Sequence, residues 1–193
     1  MHEQQLARLR ESFASDAAFS WQDEWPADPA MSPAGVLIAL QAKQDGLEIL
    51  LTRRTDHLYH HPGQISFPGG RQDDGDRDAV AAALREAEEE IGLPAEQVEL
   101  IGCLPDYITS SGFRVCPVVG FVTEDFQARL DAFEVAELFG VPLEHVLRSN
   151  NFQRHRVQRG AQTREFFAVP YSGRFIWGAT AGMLAMLAAF VGR

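Results

Sequence analysis

Glu86, Glu89 and Glu90 are the residues whose type and spacing point most directly to chemistry. On a helix, at about 100° per residue, all three fall within roughly 100° of one another. Glu86 and Glu90 are one turn apart, with Cβ atoms about 5 to 6 Å from each other, so both can reach one cation. Like charges at this spacing cost a helix about 0.2 to 0.5 kcal/mol per pair, a cost that a bound cation reverses. Hard oxygen donors favour Mg²⁺ or Mn²⁺ over zinc. A solvated helix face is the commonest use of such residues, and the order of parts sets this case apart. Phe67, Pro68, Gly69 and Gly70 end an apolar run, an Asp/Gly turn follows, and Gly92 stops the helix two residues after the last carboxylate. That layout suits a divalent metal and a phosphate. Arg85 is an i, i+4 neighbour of Glu89 and can hold it by charge-assisted hydrogen bonds. Gly69 and Gly70 let the backbone approach a metal or phosphate unobstructed.

The elements that position these residues follow from periodicity. Ala79, Val80, Ala83, Leu84, Ala87 and Ile91 form an apolar arc on the same helix, leaving the carboxylates as an acidic edge. Upstream, residues 4–13 read as a helix and 25–33 as an irregular link. Segments 35–40 and 47–52 read as strands joined by a turn at Asp45 and Gly46. Segments 98–104 and 115–122 read as further strands. The spacing predicts helical pieces at 134–139 and 143–147 divided by Pro142. Strands are expected at 152–157 and 165–170, as a hairpin across Arg159 and Gly160, before a last helix over 179–190. This alternation predicts an α/β fold with helices layered on a mixed sheet. Residues 1–32 are expected to be a helix and link packing on a domain formed by 33–193.

With 193 residues, 46% of them hydrophobic, the chain can bury one substantial core. A net charge of −10 and a pI near 5.0 argue against nucleic-acid partners, which need a basic surface. A polyanionic substrate must then meet metal or local positive charge, and Arg53, Arg54, His57, His60, His61 and Arg71 form the candidate patch. Cys103 and Cys116 have no zinc-site or disulfide-scaffold spacing and read as buried free thiols in a reducing cytosol. The N-terminus lacks the apolar core of a secretory signal. The apolar run 175–191 is short and glycine-interrupted, a buried helix rather than a membrane span. A cytoplasmic protein acting on a small molecule is expected.

The segment 70–93 resembles the box of the Nudix hydrolases, G-x5-E-x7-R-E-U-x-E-E-x-G-U with U apolar. Arg85, Glu86, Ala87, Glu89, Glu90, Gly92 and Leu93 match its second half without exception. The first half departs: Asp76 holds the glutamate position, and eight residues instead of seven separate it from Arg85. An N-cap of the helix is the simplest role for Asp76. Upstream, Leu50, Leu51, Thr52, Arg54, Gly63, Phe67, Pro68, Gly69 and Gly70 are similar to the motif L-L-T-x-R-[SA]-x3-R-x3-G-x3-F-P-G-G of the coenzyme A pyrophosphatase branch. Thr55 stands where Ser or Ala is expected and Tyr59 where Arg is expected. Ser111, Gly112, Phe113 and the stretch 176–181 also resemble this branch.

The resemblance implies a Nudix α/β/α sandwich and metal-dependent hydrolysis of coenzyme A to phosphopantetheine and adenosine 3′,5′-bisphosphate. Glu86 and Glu90 are the first-choice ligands of Mg²⁺ or Mn²⁺, on spacing and resemblance together. Glu89 is a further ligand or the base that orients water, and the Gly70 carbonyl is a ligand by resemblance. Arg53, Arg54, Gly69 and Arg71 are the expected substrate contacts. Successive strand residues face opposite ways, so Arg53 and Arg54 are not expected to touch one ligand. Phe113, Phe166, Phe167 and Trp177 can stack on adenine or line the pantetheine arm, although core packing is their commoner use. Two alternatives remain open at this point: a Nudix enzyme acting on ADP-ribose or another nucleoside diphosphate derivative, and a non-catalytic nucleotide-sensing module.

Overall fold

A computed structural model describes residues 1–15, 19–21, 28, 30–59, 61–159 and 162–192. Residues 25–27 and 29 of the expected 25–33 link, His60 and Gly160 lie outside the described residues. The elements run α1 (His2–Ala14), β1 (Ser32–Lys43), β2 (Gly46–Arg54), β3 (Ile65–Ser66), β4 (Gly69–Arg71), α2 (Ala79–Ile91), β5 (Val98–Cys103), β6 (Tyr107–Ile108), β7 (Phe113–Val122), β8 (Val135–Pro142), α3 (Leu143–Leu147), β9 (Gln153–Arg159), β10 (Gln162–Tyr171), β11 (Arg174–Trp177) and α4 (Ala179–Val191).

β1 is the axis of a mixed sheet. It pairs in parallel with β7 and antiparallel with β2 and β4, while β2 adds β3 and β8, and β7 adds β5 and β6. Side chains on a strand alternate between faces, and in β1 both faces are buried. Leu37 and Ala39 join Ala83, Ala87, Ile91 and Val118 beneath α2. Ile38 and Leu40 join Leu9, Leu184 and Leu187 on the other side, under α1 and α4. This is the α/β/α arrangement, and it explains why β1 reads as a continuous apolar run. A separate sheet of β11, β10 and β9 packs Val169 and Ile176 into the α4 side. Among the described residues no helix is long and apolar enough to cross a membrane.

Four local expectations need correction. Residues 134–139 do not form a helix: Glu134 lies in a turn and 135–139 belong to β8, which pairs antiparallel with β2 from Arg54↔Val135 to Glu48↔Pro142. The sequence there fits either period, and the open edge of β2 decides the outcome. Pro142 does not divide two helices but immediately precedes α3. The β1–β2 turn is Gln44 and Asp45, since Lys43 pairs with Gly46. Cys103 is exposed and Cys116 only half-buried, so neither is a buried thiol.

One glycine fixes how α2 sits on the sheet. A Cβ at Gly35 would lie 1.9 Å from the Ala79 carbonyl oxygen and 2.9 Å from its carbon, so the first turn of α2 rests on bare backbone. Gly35→Ala is expected to destabilise the protein by about 1 to 3 kcal/mol or more, because helix and strand must separate. Thermal unfolding would read this as a Tm lower by about 2 to 4 °C per kcal/mol.

Candidate active site

The site is assembled where α2 crosses the ends of β2 and β4. Asp78, in extended conformation, caps α2 by accepting the Ala81 N–H at 2.8 Å, which settles the entry of the helix. Gly92 ends it at φ 71°, its N–H returning to the Glu88 carbonyl at 2.9 Å. Asp78 thus holds the capping role expected of Asp76. The extra residue in the box lengthens the loop before the helix, and Asp76 is used differently.

Asp76 anchors Arg85. Arg85 Nε donates to Asp76 Oδ1 at 3.0 Å and Nη2 to Asp76 Oδ2 at 2.9 Å. Nη2 also donates to the Arg71 carbonyl at 3.2 Å. Its third nitrogen, Nη1, donates to Glu86 Oε1 at 2.9 Å and Glu89 Oε2 at 3.0 Å. One guanidinium therefore ties the loop, β4 and two carboxylates of α2 together, which its rigid fork of donors permits. The Arg85 guanidinium and the Asp73 N–H hold the Asp76 carboxyl below its usual range.

Glu90 departs from expectation most. It does not lie on an exposed acidic edge but is buried, with 5% of its surface accessible. The segment between β7 and β8 covers it: Asp131 N–H donates to the Glu90 carbonyl and Arg129 N–H to that of Ile91, both at 3.0 Å. Burial pushes the Glu90 carboxyl up to about 8, with the negative charge of Glu86 adding to the rise and Arg54 opposing it. Arg54 Nη1 lies 3.8 Å from Glu90 Oε1, and Glu90 Oε2 has no hydrogen-bond partner. Glu86 is also raised by burial, against the pull of Arg85. Glu89 is the exposed member of the three.

Glu134 belongs to this constellation, although its place at the start of an expected helix concealed it. Its carboxylate lies 3.5 Å from Arg54 Nη2 and its charge raises both Glu86 and Glu90. Register places it there. β8 leaves Glu134 beside Thr55, whose N–H donates to the Glu134 carbonyl at 2.9 Å and whose hydroxyl donates to the Phe133 carbonyl at 2.7 Å. Only the pairing of β8 with β2 would have revealed this from sequence.

The remaining expected residues divide. Gly69 and Gly70 lie on β4 against the carboxylates: a Cβ on Gly70 would sit 2.5 Å from Glu86 Oε1, and Gly69 has φ 151° with a Cβ blocked by Gly35 and Val36. Arg54 is in the site and Arg53 beside it, bonded to Asp56 at 3.2 Å and 3.8 Å from Glu137. A register shift in the β2–β8 pairing falls between the two arginines, and their ion-pair partners differ. Arg71 is exposed at the end of β4, and His57 packs on Phe133 with ring centres 4.9 Å apart. Phe113 and Phe167 pack against the core, whereas Trp177 is exposed and meets Phe166 edge-on at 5.6 Å.

Among the described residues, the ion pairs of Asp76, Glu86, Glu89, Glu90 and Glu134 run to Arg54 and Arg85. This excess of negative charge, a buried carboxylate oxygen without a partner and a glycine cradle beside Glu86 together fit a divalent cation held by oxygen. Among the described residues no three acidic, histidine or cysteine side chains converge in ligand geometry, and Arg85 holds Glu86 and Glu89.

Comparison with known proteins identifies the family. Residues 31–159 match the NUDIX domain family. A Nudix hydrolase NudL of Enterobacter sp. (strain 638) is 42% identical over 160 residues, covering 82% of each chain. Among solved structures, the Nudix hydrolase RenU of M. smegmatis is 26% identical and superposes with a TM-score of 0.51 over 60% of this chain and 73% of its own. An Ap4A hydrolase of C. elegans has the same fold, with 22% identity and a TM-score of 0.50 over 57% of this chain and 80% of its own. The chain belongs to the Nudix hydrolase family.

Proposed function

We propose that this Nudix pyrophosphatase hydrolyses the pyrophosphate bond of coenzyme A, releasing phosphopantetheine and adenosine 3′,5′-bisphosphate. One observation carries the reading. The residues that match the coenzyme A pyrophosphatase motif, Leu50 to Arg54 on β2 and Gly69 and Gly70 on β4, are the strands that flank the α2 carboxylates. Tyr59, in place of the motif arginine, favours a second reading with ADP-ribose or a related nucleoside diphosphate derivative as substrate.

Nudix hydrolases generally use divalent cations such as Mg²⁺, and a bound cation would neutralise phosphoryl oxygens and lower the pKa of a coordinated water. Glu86, Glu90 and the Gly70 carbonyl would hold it. Arg85 fixes the carboxylates of Glu86 and Glu89, so that little reorganisation is left for the reaction itself. Glu89, the accessible member of the set, would orient the attacking water and take its proton. The bare backbone of Gly69 and Gly70 leaves room for phosphate oxygens. Arg54 is held by Glu90 and Glu134, so Arg53, whose partners lie outside the carboxylate cluster, is the better candidate for the 3′-phosphate.

Steady-state kinetics on coenzyme A, its 3′-dephospho form and ADP-ribose tests this. Coenzyme A is expected to have the highest kcat/KM. A charge-assisted contact of about 1.5 to 3 kcal/mol corresponds to roughly 10- to 150-fold over the dephospho form. Arg53→Ala should erase most of that ratio, and Arg54→Ala should lower both rates alike. Equal efficiency with and without the 3′-phosphate would remove the Arg53 assignment, and faster hydrolysis of ADP-ribose would put the second reading first.

A further inference from the structure

The two cysteines, unused by the hydrolytic site, stand together on adjacent strands. Cys103 pairs with Val118 across β5 and β7, and Cys116 lies two residues along β7 on the same face as Val118. The Leu104 N–H donates to the Pro117 carbonyl at 2.9 Å between them. Diagonal neighbours on one face of an antiparallel pair lie within reach of one another, so the two side chains are close. Cys103 is exposed and Cys116 half-buried behind it. We propose that Cys103 and Cys116 form a reactive dithiol that low-molecular-weight disulfides oxidise to an intramolecular disulfide, with Cys103 attacking and Cys116 resolving.

The hydrogen bond from Cys116 pulls the Cys103 thiol down to about 7 and pushes Cys116 up, against burial and the charges of Asp106 and Asp78 at Cys103. Cys103 is therefore the sulfur that attacks at neutral pH. Its thiolate attacks one sulfur of R–S–S–R, the disulfide bond breaks, and R–S⁻ leaves. Cys116 then gives up its proton and attacks the Cys103 sulfur, releasing the second R–S⁻. Two electrons have passed from the dithiol to the small disulfide, which ends as two thiols.

Closing the bond requires movement. Diagonal residues on antiparallel strands have Cα atoms about 7 to 8 Å apart and Cβ atoms somewhat closer, whereas a disulfide holds its Cβ atoms at about 3.5 to 4.5 Å. A β-bulge interrupts the β5–β7 ladder between Leu100 and Gly102, just before Cys103, so the pairing there is already irregular. The strain makes the bond readily reducible. It also reaches the hydrolytic site, because Cys116 is paired with Gly35, and Gly35 with Gly70 beside Glu86. Gly35 has no slack against Ala79, so a shift of β7 is passed on to α2 and β4.

Mass spectrometry of the full-length protein after incubation with oxidised glutathione tests the site without any variant. The expected product has lost the mass of two hydrogen atoms, joins the Cys103 and Cys116 peptides, and reverts with dithiothreitol. Cys116→Ser should stop at a glutathione adduct on Cys103, and Cys103→Ser should react more than about tenfold slower, lacking the thiolate. Hydrolytic turnover of the oxidised wild type should fall by about tenfold or more, as misplacement at a catalytic site does, and return on reduction. A stable adduct or unmodified protein in place of the internal bond would overturn the dithiol, and unchanged turnover in fully oxidised protein would overturn its coupling to the site.

Discussion

Glu90→Gln is expected to lower turnover by more than about 100-fold, because residues that merely orient metal ligands are already worth about 10- to 100-fold. The same substitution should leave the metal-free protein folded and make it more stable above neutral pH. Glu90 is buried, its Oε2 has no hydrogen-bond partner, and its carboxyl rises from 4.5 to about 8. The native metal-free state then holds a proton that the unfolded chain has lost, so stability declines as pH climbs from about 4.5 toward 8 and remains low beyond. Glutamine has no charge to desolvate and should abolish that slope. Urea unfolding between pH 5 and about 9, with chelator present, reads it directly. A wild-type profile flat across this range would show that Glu90 is solvated, and near wild-type turnover in the variant would remove it from the metal. Mg²⁺ or Mn²⁺ should restore a chelated wild type, and restoration by zinc alone would contradict an all-oxygen site.

Much of this site is legible in sequence because Arg85, Glu86, Glu89 and Glu90 follow one another on one helix, whose geometry fixes their mutual placement. The same holds for the fold around it: the β1–β2 hairpin, α2 and α4 declare themselves by period and by turn residues. What escaped depends on contacts between distant segments. Glu90 looks like an exposed carboxylate until the 123–134 loop is laid over the C-terminal turn of α2. Glu134 has no local signature, and its place beside Arg54 exists only because β8 pairs with β2. Asp76 and Asp78 are equivalent as caps by composition. The extra residue in the loop decides between them, freeing Asp76 to pair with Arg85 nine residues further on.

That reach gives the site its second strong dependence. Arg85→Lys is expected to be nearly as damaging as Arg85→Ala, each lowering kcat by about 10- to 100-fold, the scale of lost orientation around a metal. Arg85 serves five acceptors from three nitrogens: both oxygens of Asp76, the Arg71 carbonyl, Glu86 and Glu89. An ammonium has three donors on a flexible stem and cannot span the loop and the helix at once. With Arg85 replaced, Glu86 and Glu89 lose their common partner and repel one another, so the concentration of Mg²⁺ needed for half-maximal rate should rise together with the fall in kcat. Asp76→Asn separates anchoring from chemistry. It leaves the bonds from Arg85 to Glu86 and Glu89 in place while weakening the tether, and should therefore give a smaller loss with the Mg²⁺ requirement nearly unchanged. A lysine variant with wild-type kcat and Mg²⁺ dependence would show that one positive charge is enough and that the fork geometry of Arg85 has no part in holding the carboxylates.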